Sequence, residues 1–257
     1  MPFAATTWGL STSSRRAILL HGLTSESNTW HLVAAALADY YVTAPDLLGH
    51  GHAPRAASYT IADFVTALLP ALEPERGRVD LLIGHSLGGV IAMALIPHLL
   101  PAPKLRLVLV DPALDIDAPS MASVREDVVE ETSHPGTVAS YQAANPRWTE
   151  ADCAIKVLGA VLCDRRACEQ VCDQLSPWYF PVPELAPQVE LFILGGDPAC
   201  GAVVSLREHE KFKAKRPDVK TGIVKGTTHS VHREDPHAIV KVALSGDISP
   251  YAYGATQ

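Results

Sequence analysis

The residues best suited to chemistry form the run Gly84-His85-Ser86-Leu87-Gly88, which follows an apolar segment at 79–83. A serine on a tight turn between a strand and a helix can attack a carbonyl carbon, provided that the residues two positions before and after it are small. Glycine meets that requirement on both sides. The turn also brings the N–H group of Leu87 to the start of the next helix, where it can stabilise an oxyanion. The run therefore predicts a nucleophilic serine and one oxyanion donor.

A serine hydroxyl needs a base, and histidine has the suitable pKa. His229 follows the last predicted strand, in Gly226-Thr227-Thr228-His229, and His232 lies three residues further on. The base in turn needs an acid that holds it in the correct tautomer. Two aspartates end predicted strands: Asp197 follows 189–194 and Asp111 follows 105–110. The residues alone leave both pairs of alternatives open.

These candidates depend on the elements that carry them. Apolar runs alternate with helical patterns, which is typical of βαβ units and a mostly parallel sheet covered by helices on both faces. Ligands bind such sheets at the carboxyl ends of the strands, where every candidate above lies. The predicted strands are 17–20, 41–44, 79–83, 105–110, 189–194 and 221–224, and the predicted core helices are 28–39, 60–72, 87–100 and 236–244.

The stretch 113–187 interrupts this alternation. It has no strand pattern, and its helical segments fall at 121–132, 135–143, 150–162 and 165–175. We interpret it as a helical cap inserted into an α/β core that comprises 1–112 and 188–257. An enclosed, fairly apolar small-molecule substrate fits such an arrangement.

The composition restricts the function classes further. A chain of 257 residues with 47% hydrophobic content suits one large domain, and a net charge of −7 without a basic block argues against nucleic acid or an anionic membrane as partner. No apolar stretch reaches the roughly 20 residues of a membrane span. The N-terminus lacks a secretory pattern and the five cysteines are an odd number, so we expect a cytoplasmic protein with reduced thiols. No metal site or cofactor is predicted, and the oligomeric state is left open.

Taken in order, the motifs resemble those of the α/β-hydrolase fold superfamily, in its capped esterase and lactonase branch. The resemblance extends from about residue 17 to 244. It rests on His21-Gly22, Asp46-Leu47-Leu48-Gly49-His50-Gly51, the serine run, and the turn that ends at His229.

The resemblance implies roles for particular residues. His229 matches the base position, and the N–H group of Leu23 is expected as the second oxyanion donor. The order serine, aspartate, histidine favours Asp197 as the acid, although its spacing from the preceding glycine is one residue short. Some relatives, including zearalenone-type lactonases, place the acid after the strand that Asp111 ends. Asp111 is therefore the alternative.

The expected reaction is hydrolysis of a carboxylic ester or lactone through an acyl-enzyme on Ser86. Thioester hydrolysis, C–C bond hydrolysis, lyase chemistry and a non-enzymatic receptor role are alternatives on the same scaffold, since fold does not fix function. Substrate contacts are expected from the candidates next to the first strand and at the end of the cap, which are His21, Gly22, Thr24 and Trp178. The family usually has a two-stranded hairpin at its N-terminus, and this chain has room for a shortened one.

Overall fold

The centre of the structure, a computed structural model that describes residues 4–102, 104–174 and 178–252, is a mostly parallel sheet. The strands are β1 (Ala5–Trp8), β2 (Arg15–Leu20), β3 (Tyr40–Pro45), β4 (Val79–His85), β5 (Leu105–Val110), β6 (Asp115–Ile116), β7 (Trp178–Tyr179), β8 (Val189–Gly195) and β9 (Lys220–Ile223). Within the described residues, seven of them form one sheet in the order β1-β3-β2-β4-β5-β8-β9, in which β1 alone runs antiparallel to its neighbour.

Helices follow most of the strands. They are α1 (His31–Ala36), α2 (Ile61–Leu72), α3 (Leu87–Leu99), α4 (Ala118–Ser133), α5 (Val138–Ala144), α6 (Glu150–Leu162), α7 (Arg165–Gln174), α8 (Leu206–Lys215), α9 (Val231–Glu234) and α10 (Pro236–Ser245). Several begin at a capping box, in which a Thr or Ser and an acidic or polar residue three positions later satisfy each other's backbone N–H groups.

The two faces of the sheet carry separate apolar clusters. Alternate side chains of a strand point to opposite faces, and β2 shows this directly: Ile18 and Leu20 pack with α2 and α3, whereas Ala17 and Leu19 pack with α1 and α10. Burial on both faces explains the nearly continuous apolar sequence of β2, β4 and β5. Helices therefore hold the sheet on both faces, and the carboxyl ends of its strands form the edge at which the predicted site residues lie.

The predicted fold class is confirmed, and individual elements differ at their ends. The strand predicted at 105–110 is β5, residue for residue. The helix predicted at 28–39 is divided into a 3₁₀ turn at Ser27–Trp30 followed by α1. Leu175, the predicted last residue of a cap helix, lies outside the described residues, as do the termini of the predicted core, 1–3 and 253–257.

Five of the helices and strands given above were not predicted: α8, α9, β1, β6 and β7. Helix α8 is strongly polar and mostly exposed, and its buried residues are the polar Glu208 and His209, so its sequence lacks the apolar stripe that identifies a helix. At the N-terminus, where the family usually has a two-stranded hairpin, the structure describes one strand, β1, which pairs with β3. The segment 113–187 also contains the short antiparallel pair β6 and β7, contrary to the expectation that it has no strand.

Residues 113–187 otherwise form helices α4 to α7, between β5 and β8 in the chain. None of the described helices combines the length and apolarity needed to cross a bilayer. A buried carboxylate ties this segment to the core: Asp152 Oδ1 lies 3.0 Å from His31 Nε2, and its Oδ2 accepts hydrogen bonds from the backbone and hydroxyl of Thr149. Burial alone would raise the pKa of Asp152, but these hydrogen bonds outweigh it and hold the pKa below its usual value.

Removing this carboxylate is expected to destabilise the protein in a pH-dependent way. Asp152→Asn should lower the free energy of unfolding by about 1–3 kcal/mol at neutral pH, because it removes charge-assisted hydrogen bonds from a buried group. The folded pKa is depressed, so the contribution is present above the unfolded pKa of about 3.9 and is lost as the pH falls through the folded value. Urea unfolding at several pH values should show the two proteins converging in acid. The exposed Asp39→Asn variant is the control, and a gap that persists unchanged in acid would contradict the assignment.

Candidate active site

Ser86 occupies the sharp turn between β4 and α3. Its backbone is in the left-handed region, with φ of +54°, and its N–H group donates to the carbonyl of Val110 at 3.1 Å. The flanking glycines are required by close backbone approaches. A Cβ on Gly84 would overlap the carbonyl oxygen of Gly88, and one on Gly88 would overlap that of Leu20. The strained turn is therefore held by its neighbours and presents the serine at the edge of the sheet.

His229 lies in the loop after β9 and lines the same cavity as Ser86. Its Nδ1 lies 2.6 Å from Oδ2 of Asp111, and about one third of its side chain is exposed. Since a carboxylate can only accept, Nδ1 carries the proton, and Nε2 of the neutral ring is left as the acceptor. This is the tautomer that a general base for a serine hydroxyl needs.

Asp111 is fully buried at the end of β5, and its backbone also adopts a positive φ, of +40°. Beyond His229 it accepts three backbone N–H groups. Oδ1 accepts from Gly196 at 3.2 Å and from Val204 at 3.1 Å, and Oδ2 accepts from Val203 at 2.8 Å. The loop after β8 thus surrounds the carboxylate. Its four hydrogen-bond donors offset the cost of burying its negative charge.

The structure places Asp197 away from His229, in contrast to the order of preference drawn from the resemblance. Its Oδ1 accepts the N–H group of Ala199 at 3.1 Å, and its Oδ2 accepts that of Gly226 at 3.0 Å. The hydrogen bond from Gly226 is the main reason that the pKa of Asp197 lies below its usual value. Asp197 therefore caps a short 3₁₀ turn and ties the loop after β8 to the loop after β9, while the alternative, Asp111, contacts the histidine.

His85, within the serine motif, contacts both the backbone and the ring of His229. Its Nε2 donates to the backbone carbonyl of His229 at 2.9 Å, and the two rings lie 4.5 Å apart. The ring of His232 lies 4.4 Å from that of His85, so the three histidine rings form one cluster. Burial is the main cause that lowers the pKa of His85 and of His232 well below 6.5. Both rings therefore stay neutral at physiological pH and add no charge beside the base.

The cavity has a volume of about 250 Å³ and receives residues from both the core and the segment 113–187. Besides Ser86 and His229, four more of the residues predicted from the sequence line it: the proposed oxyanion donors Leu23 and Leu87, and also Thr24 and Trp178. Much of the remaining lining is apolar, and it includes Ala113, Ile116, Met121, Val124, Val128 and Val203. Among the described residues, no group of three or more His, Cys, Asp and Glu side chains is arranged to hold a metal ion.

His21 and Gly22 do not line this cavity. His21 is fully buried; its Nδ1 donates to the carbonyl of Gly22 at 2.8 Å and its Nε2 accepts from the N–H group of Leu47 at 3.0 Å. Both nitrogens are thus occupied, and burial is the main cause that lowers the pKa of His21 to about 4. A Cβ on Gly22 would lie 3.0 Å from Cβ of Ser86. The two residues shape the loop that carries Leu23, rather than contacting the cavity.

Two cations on the cavity wall were not predicted. Lys156 of α6 donates to the hydroxyl of Thr24 and to Oε2 of Glu131, each at 2.6 Å, and to the carbonyl of Thr24 at 3.2 Å. Arg233 of α9 is 6% exposed and also borders the cavity. In the sequence, Lys156 is a single charge within an otherwise apolar stretch of α6. Without knowledge of the packing, such a charge is assigned to the exposed face of the helix.

Comparisons with known proteins agree with this architecture. A protein-family model described as the alpha/beta hydrolase family matches residues 17–242. The chain is similar to the lipase LipV of Mycobacterium tuberculosis, with 36% identity over 141 residues, which are 53% of this chain and 52% of the lipase, so the match spans about half of that relative. It is also similar to the esterase YbfF of Escherichia coli, with 25% identity over 247 residues that cover 87% of this chain and 89% of the esterase.

A solved structure described as a marine microorganism esterase superimposes with a TM-score of 0.70. The superposition covers 93% of this chain and 97% of that one, and the sequence identity is 20%. At this identity the likeness concerns the fold.

Proposed function

Because this chain belongs to the alpha/beta hydrolase family, we propose that it hydrolyses carboxylic esters through an acyl-enzyme formed on Ser86. One observation carries the proposal: a serine held in a strained turn shares a cavity with a histidine whose Nδ1 lies 2.6 Å from a buried carboxylate. The lipase and esterase names of two relatives favour an ester over the other bonds that this scaffold is able to cleave.

In the proposed reaction Ser86 Oγ attacks the acyl carbon while His229 Nε2 takes its proton. The negative charge that forms on the carbonyl oxygen is stabilised by the N–H groups of Leu23 and Leu87. Leu87 is the first residue of α3, and the first N–H groups of a helix have no partner within it. His229 then protonates the leaving alcohol, and water activated by the same ring releases the acyl group.

Asp111 is the proposed acid of this triad. It holds the Nδ1 proton of His229 and stabilises the imidazolium that forms during each proton transfer. Asp197 contributes indirectly, because it fixes the loop that precedes His229.

The segment 113–187 is proposed to act as a cap. It contributes Met121, Val124 and Trp178 to the cavity wall, and the Trp178 Nε1 donates to the carbonyl of Ala113 at 2.6 Å, which holds the ring in place. The apolar wall favours an acyl or alcohol group of small size and mainly hydrocarbon character.

The proposal is tested by pre-steady-state kinetics with p-nitrophenyl butyrate. We expect a burst of p-nitrophenol close to one equivalent if deacylation limits turnover, and in every case a covalent adduct on the Ser86 peptide after treatment with a fluorophosphonate. The adduct is located by mass spectrometry of the digested protein. Absence of both hydrolysis and adduct in the folded protein would reject the hydrolase mechanism.

A further inference from the structure

We propose that the guanidinium of Arg233 binds a carboxylate of the substrate, so that the ester cleaved at Ser86 carries a negative charge elsewhere in the molecule. The inference rests on the hydrolase function proposed above and adds the chemical class of its substrate. It starts from the position of Arg233, which is four residues after His229 and borders the same cavity as Ser86.

The guanidinium of Arg233 is influenced by the charges of Asp152, Glu131 and Glu26, but it forms no close ion pair within the described residues. Its Nη2 donates to Thr29 Oγ1 at 2.9 Å, whereas its Nε is buried without a hydrogen-bond partner. Within the described part of the chain, no carboxylate lies within 4 Å of it. Burial is the main cause that lowers the pKa of Arg233, to about 10, so the side chain is still protonated at neutral pH. A buried cation without a paired anion is costly and is seldom retained without a role.

Of the three carboxylic acids that act electrostatically on Arg233, Asp152 and Glu131 have hydrogen-bond partners on both oxygens, whereas Oε1 of Glu26 has none among the described residues. Asp152 accepts hydrogen bonds from His31 and Thr149. Glu131 accepts from Lys156 and, through its other oxygen, from the hydroxyl of Tyr141 at 2.6 Å. Neither carboxylate forms an ion pair with the guanidinium, which borders the cavity together with the exposed acid Asp127.

The geometry of Arg233 is fixed before any ligand binds. The guanidinium lies 4.5 Å over the ring of Trp148, and Thr29 holds one end of it. With Nε buried and one N–H group of Nη2 bound to Thr29, the groups left for the two oxygens of a carboxylate are those of Nη1 and the second N–H group of Nη2. Lys156, the other cation on the wall, has all three N–H groups engaged and its charge paired with Glu131, so it offers a ligand no free donor.

The carboxylate of such a substrate can lie on either side of the scissile bond, and two matched pairs of esters separate these cases. The acyl side is tested with monoethyl adipate against ethyl hexanoate, and the alcohol side with 3-carboxyphenyl butyrate against phenyl butyrate. We expect kcat/KM of the wild-type protein to be about 10 to 100 times higher for the charged member of one pair, the range of a charge-assisted hydrogen bond.

Variants assign the preference to Arg233. Arg233→Met should lower the charged-to-neutral ratio of kcat/KM by about the same factor, and Arg233→Lys, which keeps the charge without the planar fork, should give an intermediate ratio. Arg76→Met is the matched control, because it removes the same charge from an exposed arginine outside the cavity wall. Its ratio should equal that of the wild type.

The outcomes separate the two proposals. Neutral esters preferred in both pairs, together with a normal adduct on Ser86, would overturn the carboxylate site and leave the hydrolase function intact. A charged preference that survives in Arg233→Lys and Arg233→Met would also overturn it. If Arg233→Met fails to fold, competitive inhibition of the wild type decides: hexanoate should inhibit at least about ten times more strongly than hexanamide, and equal inhibition rejects the site.

Discussion

Replacing Asp111 by asparagine is expected to lower kcat for ester hydrolysis by about four orders of magnitude. The carboxylate holds the Nδ1 proton of His229, so that Nε2 is free to accept the proton of Ser86. An amide that turned its NH₂ group toward the ring would instead require an unprotonated Nδ1. The proton would then occupy Nε2, and the ring could no longer act as a base.

The surroundings of Asp111 leave asparagine no suitable orientation. Oδ1 meets the N–H groups of Gly196 and Val204, and Oδ2 meets those of Val203 and His229. Whichever way the amide is turned, its NH₂ group faces two donors. We therefore expect a loss of stability in addition to the loss of kcat, and thermal unfolding should be recorded beside the kinetics.

Asp197→Asn is the matched control for this experiment. Asp197 also follows a core strand and accepts two backbone N–H groups, but it does not contact His229. We expect its kcat to change by less than about tenfold, since only the path of the neighbouring loops is affected. If Asp197→Asn lost orders of magnitude while Asp111→Asn stayed active, the proposed triad would be wrong.

Ser86→Ala should be the most damaging single change, with a fall in kcat of about 10⁶-fold. The substitution removes the atom that forms the acyl bond, so the burst and the fluorophosphonate adduct should both disappear. Only one oxygen is deleted and the backbone turn is held by its neighbours. Thermal stability should therefore change little.

Ser230→Ala tests whether the reactive serine has been identified correctly. Ser230 lines the same cavity and adjoins His229 in the chain. Its variant should keep the adduct and most of the hydrolytic rate. An adduct that persists in Ser86→Ala and vanishes in Ser230→Ala would transfer the role of nucleophile to Ser230.

The nucleophile motif and His229 could be selected from the sequence because their positions depend on local features. Ser86 follows its strand directly and His229 lies in the short loop after the last strand, and both strands are visible as short apolar runs. The choice between Asp111 and Asp197 depends instead on the path of residues 196–204, whose N–H groups converge on Asp111 from separate points of the loop. No local pattern in the sequence specifies such a path.

Arg233 and Lys156 illustrate a second kind of limit. A charged residue inside a helical pattern is normally solvated, and the sequence gives no reason to treat these two differently. Both side chains are largely buried because α6 and α9 pack against the 3₁₀ turn that contains Thr29. Helix α8 was not predicted because its polar sequence has too little apolar periodicity to identify a helix.

The hydrogen bonds from Lys156 to Thr24 join two parts of the molecule that are distant in the chain. Thr24 has a positive φ of +51° and immediately follows Leu23, whose N–H group is the proposed oxyanion donor. A movement that lifts α6 away from the sheet must either break both hydrogen bonds or displace the loop at Leu23. The position of α6 and the alignment of that N–H group are therefore coupled through one ammonium group.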